Sequence, residues 1–222
     1  MDFVLLADDG QDPGALARRE AARPRQVAKI RTNVAAGRLV MSRPRLRTDG
    51  VTTGSLQVFR LADQAAMAAC PASEPFAQTG IWTGWQALDF RIAPISWKPQ
   101  AGRAGGETGP AHGFAITARG GADAEAGQRR LAARPRHFAR LAPEVAAGQV
   151  GAGRVGAGGA VPDAPKGRMV GSLIPLALPD EAAVRARLTG EPSVAKGAWQ
   201  DIRIERWRIG AQPHHLLPGA GG

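Results

Sequence analysis

Residues 18–37 read RREAARPRQVAKIRTNVAAG, and residues 129–148 read RRLAARPRHFARLAPEVAAG. Laid over one another without a gap, Arg18, Arg19, Ala21 to Arg25, Ala28 and Val34 to Gly37 recur as Arg129, Arg130, Ala132 to Arg136, Ala139 and Val145 to Gly148. That is twelve identities in twenty positions, more than an Ala- and Arg-rich composition yields by chance. The chain is therefore two copies of one unit. Its 222 residues divide into halves, each of about 100 residues and large enough to bury a core.

Working outward, Phe3 to Ala7 is a short bulky apolar run closed by Asp8-Asp9-Gly10, and reads as a buried strand and turn. Pro13 to Arg23 suits a short helix. Pro24 reads as the first residue of the next helix, where its missing N–H costs nothing. Val27, Ile30 and Val34 then form an apolar stripe, and Gly37 stops it. Arg38 to Ser42 and Thr53 to Leu61 read as strands, Asp63 to Cys70 as a second helix, and Leu88, Phe90 and Ile92 as a last strand. Ala93-Pro94 breaks that period, so an edge or bulge is expected there, and Ile95 and Trp97 resume it.

The second copy repeats the order. Phe114 to Ala118 is its first strand, and Phe138, Leu141 and Val145 follow Pro135 on a helix that Pro143 should kink. Gly171-Ser172 matches Gly54-Ser55, Glu191-Pro192 matches Glu74-Pro75, and Gly197-Ala198-Trp199 matches Gly80-Ile81-Trp82. Pro179-Asp180 opens a helix reaching Leu188, and Ile202, Ile204 and Trp207 end the copy. Residues 150–168 are Gly- and Pro-rich and read as a mobile loop. Each copy thus reads β-α-β-β-α-β. The fold expected is α+β: two ferredoxin-like repeats, each a four-stranded antiparallel sheet with both helices on one face. Stacking the bare sheet faces would form an intrachain dimeric α+β barrel, with possible further homo-oligomerisation. The repeats span 1–98 and 112–210. The Gly-rich stretch 99–111 reads as a flexible linker, and 211–222 as a disordered tail.

The net charge is +10, but the basic residues are almost all Arg and are scattered. A nucleic-acid surface would show a basic stripe with interleaved aromatics, so a basic pocket for an anionic metabolite is the better reading of the charge. Cys70 is the one cysteine, so no intrachain disulfide can form. With no signal-peptide pattern and no apolar stretch of membrane length, a cytoplasmic protein without a membrane partner is expected.

Several of these motifs, MDFVLLADDGQDPGALARREAARPRQ with Gly54-Ser55 and Glu74-Pro75-Phe76, and RRLAARPRHFARL with Gly171-Ser172 and Glu191-Pro192, resemble the YciI-like (YCII-related domain) family in tandem. The resemblance covers nearly all of both copies. It implies small dimeric α+β barrels similar to muconolactone isomerase, mostly without known substrate, a few relatives being linked to dehydrochlorination or lactone chemistry. It also implies a His in an Arg-Pro-x-His motif paired with an Asp just after the first strand. The second copy keeps the histidine as His137 but has Arg119 and Gly120 at the acidic positions. The first keeps Asp8 and Asp9 but has Gln26 in place of His.

The candidate catalytic residues are therefore His137, Asp8 and Asp9. If Pro135 begins its helix, His137 lies in the first turn, where the positive helix end favours neutral imidazole, able to move a proton near pH 7. Packing near the helix start is the plainer alternative. For Asp8 and Asp9 the alternative is turn formation. Arg23 and Arg134 could hold a carboxylate or form structural ion pairs. Gln26, Ser55 and Ser172 are candidate ligand contacts, and the tryptophans read mainly as core. His214-His215 lacks ligand partners at useful spacing, so no metal is expected. The glycines from Gly151 to Gly159 do not open a βαβ helix, so no dinucleotide and no other cofactor is expected. Two functions stay open: a small organic, perhaps anionic, molecule undergoing His-assisted proton transfer, isomerisation or elimination; or a non-catalytic ligand-binding or protein-interaction module with a degenerate dyad.

Overall fold

A computed structural model describes residues 1–93, 112–147, 150, 159–163 and 168–208. The expected linker 99–111, the tail with His214-His215, the resumed strand at Ile95 and Trp97, and the glycines 151–158 lie outside the described residues. The chain divides into two units, one built on Met1–Phe90 and one on Arg91–Ile209. Both are α+β.

The first unit runs β1 (Asp2–Asp9), α1 (Ala15–Ala35), β2 (Leu39–Leu46), β3 (Thr52–Arg60), α2 (Gln64–Ala69), α3 (Pro75–Gln78) and β4 (Trp82–Ile92), of which Arg91 and Ile92 count with the second unit. β1 is central, pairing antiparallel with β3 on one side and β4 on the other, while β2 extends the sheet beyond β3. Alternation along β1 sends Phe3, Leu5 and Ala7 to one face, where Ala22 and Ile30 of α1, Phe59, Met67 and Phe76 meet them in the core. Asp63 caps α2, its Oδ1 accepting from the Ala66 N–H at 2.8 Å. Gly37 stops the first helix with φ 67°, a backbone state that favours glycine.

The second unit runs β5 (His112–Arg119), α4 (Ala126–Ala146), β6 (Gly159–Asp163), β7 (Arg168–Leu176), α5 (Glu181–Thr189), α6 (Pro192–Ala195) and β8 (Asp201–Arg208). β5 is central between β7 and β8, and β6 pairs with β7. The same positions build the core: Phe114, Ile116 and Ala118 of β5 meet Leu141 and Val145 of α4 and Val184 of α5. Asp180 caps α5 as Asp63 caps α2, accepting from the Ala183 N–H at 2.8 Å.

Two expectations are corrected. Pro24 and Pro135 do not begin helices. α1 and α4 are continuous through them, each 21 residues long. The single missing N–H is a local loss, and the apolar stripe holds the helix to the sheet on both sides of it. The Gly- and Pro-rich stretch 150–168 is not all loop, because β6 lies within it and pairs with β7.

The Gly-Ser motif also finds its reason. A Cβ at Gly54 would sit 2.1 Å from the Ala7 carbonyl oxygen, and one at Gly171 would sit 3.0 Å from that of Ala118. Glycine lets the third strand of each unit close on the first. The serine that follows is thereby set beside the end of the central strand.

Candidate functional site

In the first unit the residues around that serine form a closed set. Arg19, on α1, donates from Nη1 to both oxygens of Asp9 at 2.7 and 2.5 Å. Its Nη2 reaches the Gly54 carbonyl at 3.4 Å and Ser55 Oγ at 3.2 Å. The guanidinium lies 4.3 Å from the centroid of the Phe76 ring. Both members of the ion pair are buried. Burial pushes the Asp9 carboxyl up, and the neighbouring Arg19 charge only partly offsets it. Two helical turns on, Gln26 donates from Nε2 to Glu74 Oε2 at 2.6 Å and accepts from the Phe76 N–H at 3.3 Å. Asp8 pairs instead with Arg45 at 2.6 Å. Arg23 is exposed and lies 3.8 Å from Glu20, a weak surface pair.

The second unit keeps the scaffold and changes the occupants. Arg130 stands where Arg19 does, its Nη2 donating to the Gly171 carbonyl and to Ser172 Oγ, both at 3.1 Å. Gly120 replaces Asp9, and no carboxylate pairs with Arg130 among the described residues. His137 stands where Gln26 does. Its Nδ1 lies 2.7 Å from Oε1 of Glu191, the counterpart of Glu74. Glu191 is fully buried; its Oε1 also accepts the Ser193 N–H at 3.1 Å, and Arg187 approaches Oε2 at 3.4 Å. Arg187 is held in turn by Glu144 at 2.6 Å. Burial pushes the Glu191 carboxyl up, but the hydrogen bond and charge of His137, the Ser193 amide and Arg187 outweigh it and hold the carboxyl below its usual range. Trp199 and Phe138 clasp the imidazole edge-on, with centroids at 5.4 and 5.7 Å.

These groups border a cavity of about 650 Å³ within the second unit, lined by Arg130, Arg134, His137, Phe138, Ser172 and Trp199 among others. Arg134 is exposed and lies 5.3 Å over the Phe138 ring. Chemically the arrangement joins an imidazole oriented by a buried carboxylate to a guanidinium and an apolar wall. When Nδ1 carries the proton donated to Glu191, Nε2 is left with a lone pair, the state a general base needs.

The sequence expectations are corrected accordingly. His137 is not in a first helical turn. It lies in the middle of α4, so the helix-end argument for its protonation state falls. Its acidic partner is neither Asp8 nor Asp9, which engage Arg45 and Arg19, but Glu191. Gln26, Ser55 and Ser172 act as holders of Glu74, Arg19 and Arg130. The functional groups that sequence reasoning passed over are Arg130 and Glu191. Both were in plain view as repeated residues, but the 54-residue separation of His137 and Glu191 follows no spacing rule. Cys70 is pushed up to about 11 by burial and the nearby Glu74 charge, so its thiol stays protonated at neutral pH. Among the described residues, no group of three or more His, Cys, Asp and Glu could hold a metal ion, and no helix is long and apolar enough to cross a membrane.

Comparison with known proteins returns a family model described as the YCII-related domain, matching residues 1–91 and 113–208. No curated protein matches. Solved structures with TM-scores above 0.5 share the fold at low identity. A haem-binding protein from Thermus thermophilus is 12% identical with TM-score 0.53, over 93% of this chain and 90% of that one. An anthrone oxidase-like protein is 14% identical with TM-score 0.51, over 100% and 94%. A 5-chloro-2-hydroxyhydroquinone dehydrochlorinase from Burkholderia phenoliruptrix AC1100, in complex with 2,5-dihydroxybenzoquinone, is 18% identical with TM-score 0.37, over 42% of this chain and 96% of that one.

Proposed function

The chain belongs to the YCII-related domain family as a tandem duplication, and from that premise we propose that its second repeat is the working copy. It binds a small organic molecule in the cavity beside His137 and moves a proton on it. The observation that carries this reading is the 2.7 Å contact between His137 Nδ1 and the buried Glu191 carboxylate at the wall of that cavity. Glu191 fixes the ring and its tautomer, and it stabilises the imidazolium formed when Nε2 takes a proton from a substrate carbon or hydroxyl. The proton can then return to a neighbouring atom of the same molecule, an isomerisation, or stay on the ring while a leaving group departs, an elimination. Trp199 and Phe138 keep the ring in place and supply an apolar surface for an unsaturated or aromatic body. No step calls for a cofactor or metal.

The first repeat takes a supporting role in this reading. Its Gln26 cannot move a proton, and its Arg19 is occupied by Asp9. The family premise and the fold likeness over most of the chain favour the two ferredoxin-like repeats forming an intrachain barrel. A monomeric mass by light scattering would agree with that pairing, whereas a dimer would need its interface mapped, since barrels paired within each chain could also associate. The rival reading, a binding module without catalysis, draws on the same substitutions, because neither repeat has both a His and an Asp at the family positions.

The deciding experiment is a thermal-shift screen with small organic acids, lactones and hydroxylated or chlorinated aromatics, followed by turnover assays on the hits. The key variant is His137→Gln, which copies the natural first repeat. It should keep hits that bind the cavity and lose about 100-fold or more in turnover. Hits that turn over equally well in His137→Gln would end the acid–base reading. Hits that bind but are never converted would favour the binding module.

A further inference from the structure

The two repeats hold the same arginine in the same grip, and among the described residues only the first gives it a counterion. In each, Nη2 is fixed by a carbonyl and a serine hydroxyl: Gly54 and Ser55 for Arg19, Gly171 and Ser172 for Arg130. In the first repeat Nη1 then closes on Asp9. In the second, Nη1 has no acceptor among the described residues, and the position of Asp9 is Gly120. Arg130 also lines the cavity that holds His137. A partly buried guanidinium without a carboxylate is costly to maintain. Burial and the neighbouring Arg134 charge both work against its protonated form. An acceptor from outside the chain would relieve both.

We propose that the ligand carries a carboxylate, and that this carboxylate binds Arg130 in the place that Asp9 takes on Arg19. The proposal rests on the reading of the cavity given above and deepens it by naming the ligand class: a small organic acid with an apolar or unsaturated body. The Asp9–Arg19 pair is the pattern for the contact, since the chain itself shows which partner that guanidinium accepts in this setting. Arg134, on the same cavity wall, adds a second positive charge. Phe138, Leu141, Ile174 and Trp199 offer the apolar wall. The anion anchors the ligand, and His137 acts on a different part of it. Binding and proton transfer are thereby assigned to separate residues.

The test uses matched probes: benzoate and cyclohexanecarboxylate, with benzamide and cyclohexanecarboxamide as their neutral isosteres, titrated into the full chain by calorimetry. The acids should bind and the amides should bind at least about tenfold more weakly. Arg130→Gln should lose roughly tenfold or more in affinity for the acids, and Arg130→Lys, which keeps the charge without the fork, should fall between. Gly120→Asp should abolish binding by supplying the missing counterion. A Cβ there would stand 3.1 Å from the Ala198 carbonyl, so its folding is checked by circular dichroism, and the Arg130 pair carries the test if it fails to fold. His137→Gln should keep the preference for acids over amides, which separates this proposal from the acid–base reading. Acids and amides binding alike, acids failing to bind wild type, or affinity surviving in Arg130→Gln would each overturn it, whatever the outcome of the turnover assays.

Discussion

Glu74 and Glu191 occupy the same place in the repeat, both fully buried, and they are pushed in opposite directions. Glu74 faces neutral Gln26, so burial dominates and its carboxyl rises above the ordinary 4.5. Glu191 faces His137 and Arg187, so its carboxyl falls below it. The stability consequences have opposite signs. For Glu74, the contribution is complete below the ordinary value and is lost as pH rises through the folded value. Glu74→Gln should therefore raise Tm more at about pH 8 than at about pH 4. The amide can still accept from Gln26 and offers an N–H to the neighbouring Gln57. A Tm difference that does not change with pH would refute this account. For Glu191, the contribution is present above 4.5 and lost as pH falls through the folded value. Glu191→Ala should cost about 3–5 kcal/mol near neutral pH, because His137 and Arg187 lose a buried partner. Urea unfolding near pH 7 and near pH 3 should show the gap to wild type narrowing in acid.

At the scale of elements, the close approach of the third strand to the first is the most sensitive feature. Gly54→Ala would place a Cβ 2.1 Å from the Ala7 carbonyl, whereas Gly171→Ala leaves 3.0 Å to that of Ala118. The first should destabilise by more than about 4 kcal/mol and the second by about 1–3 kcal/mol. Denaturant midpoints falling equally would contradict the difference in approach. The elements themselves were mostly legible. A bulky apolar run closed by Asp8-Asp9-Gly10 gave the strand Phe3 to Ala7, the repeat gave Phe114 to Ala118, and the stripe ending at Val34 and Val145 gave the helix ends. Pro24 and Pro135 misled because local propensity marks a helix start there, while packing against the sheet carries the helix through. β6 was hidden because its Gly159-Ala160-Val161-Pro162 carries almost no pattern of its own and is held by β7. The site was half legible. His137 stood in a motif, but its partner comes from the start of α6, and only folding brings the two within 2.7 Å.

The whole chain carries two versions of one arginine grip, and their difference predicts a stoichiometry. Arg19 is occupied by Asp9, and Gln26 replaces the histidine, so the first repeat lacks both the open cation and the proton carrier. Calorimetry with a bound acid should give one ligand per chain. Two equivalent sites would mean that the Asp9–Arg19 pair opens to admit a ligand, which would undo the contrast between the repeats. The net charge of +10 bears on the rate of that binding more than on its strength, since a cationic surface draws organic anions in and does so less at high salt.

Gly120 takes in the second repeat the position that Asp9 has in the first, a difference that bears on inheritance. In an assembly of identical single-repeat subunits, a substitution enters every copy at once, and a site can be abandoned only by all of them. Joining two copies on one chain lifts that symmetry. Each position is then encoded twice, and one copy can become scaffold while the other drifts toward a new ligand.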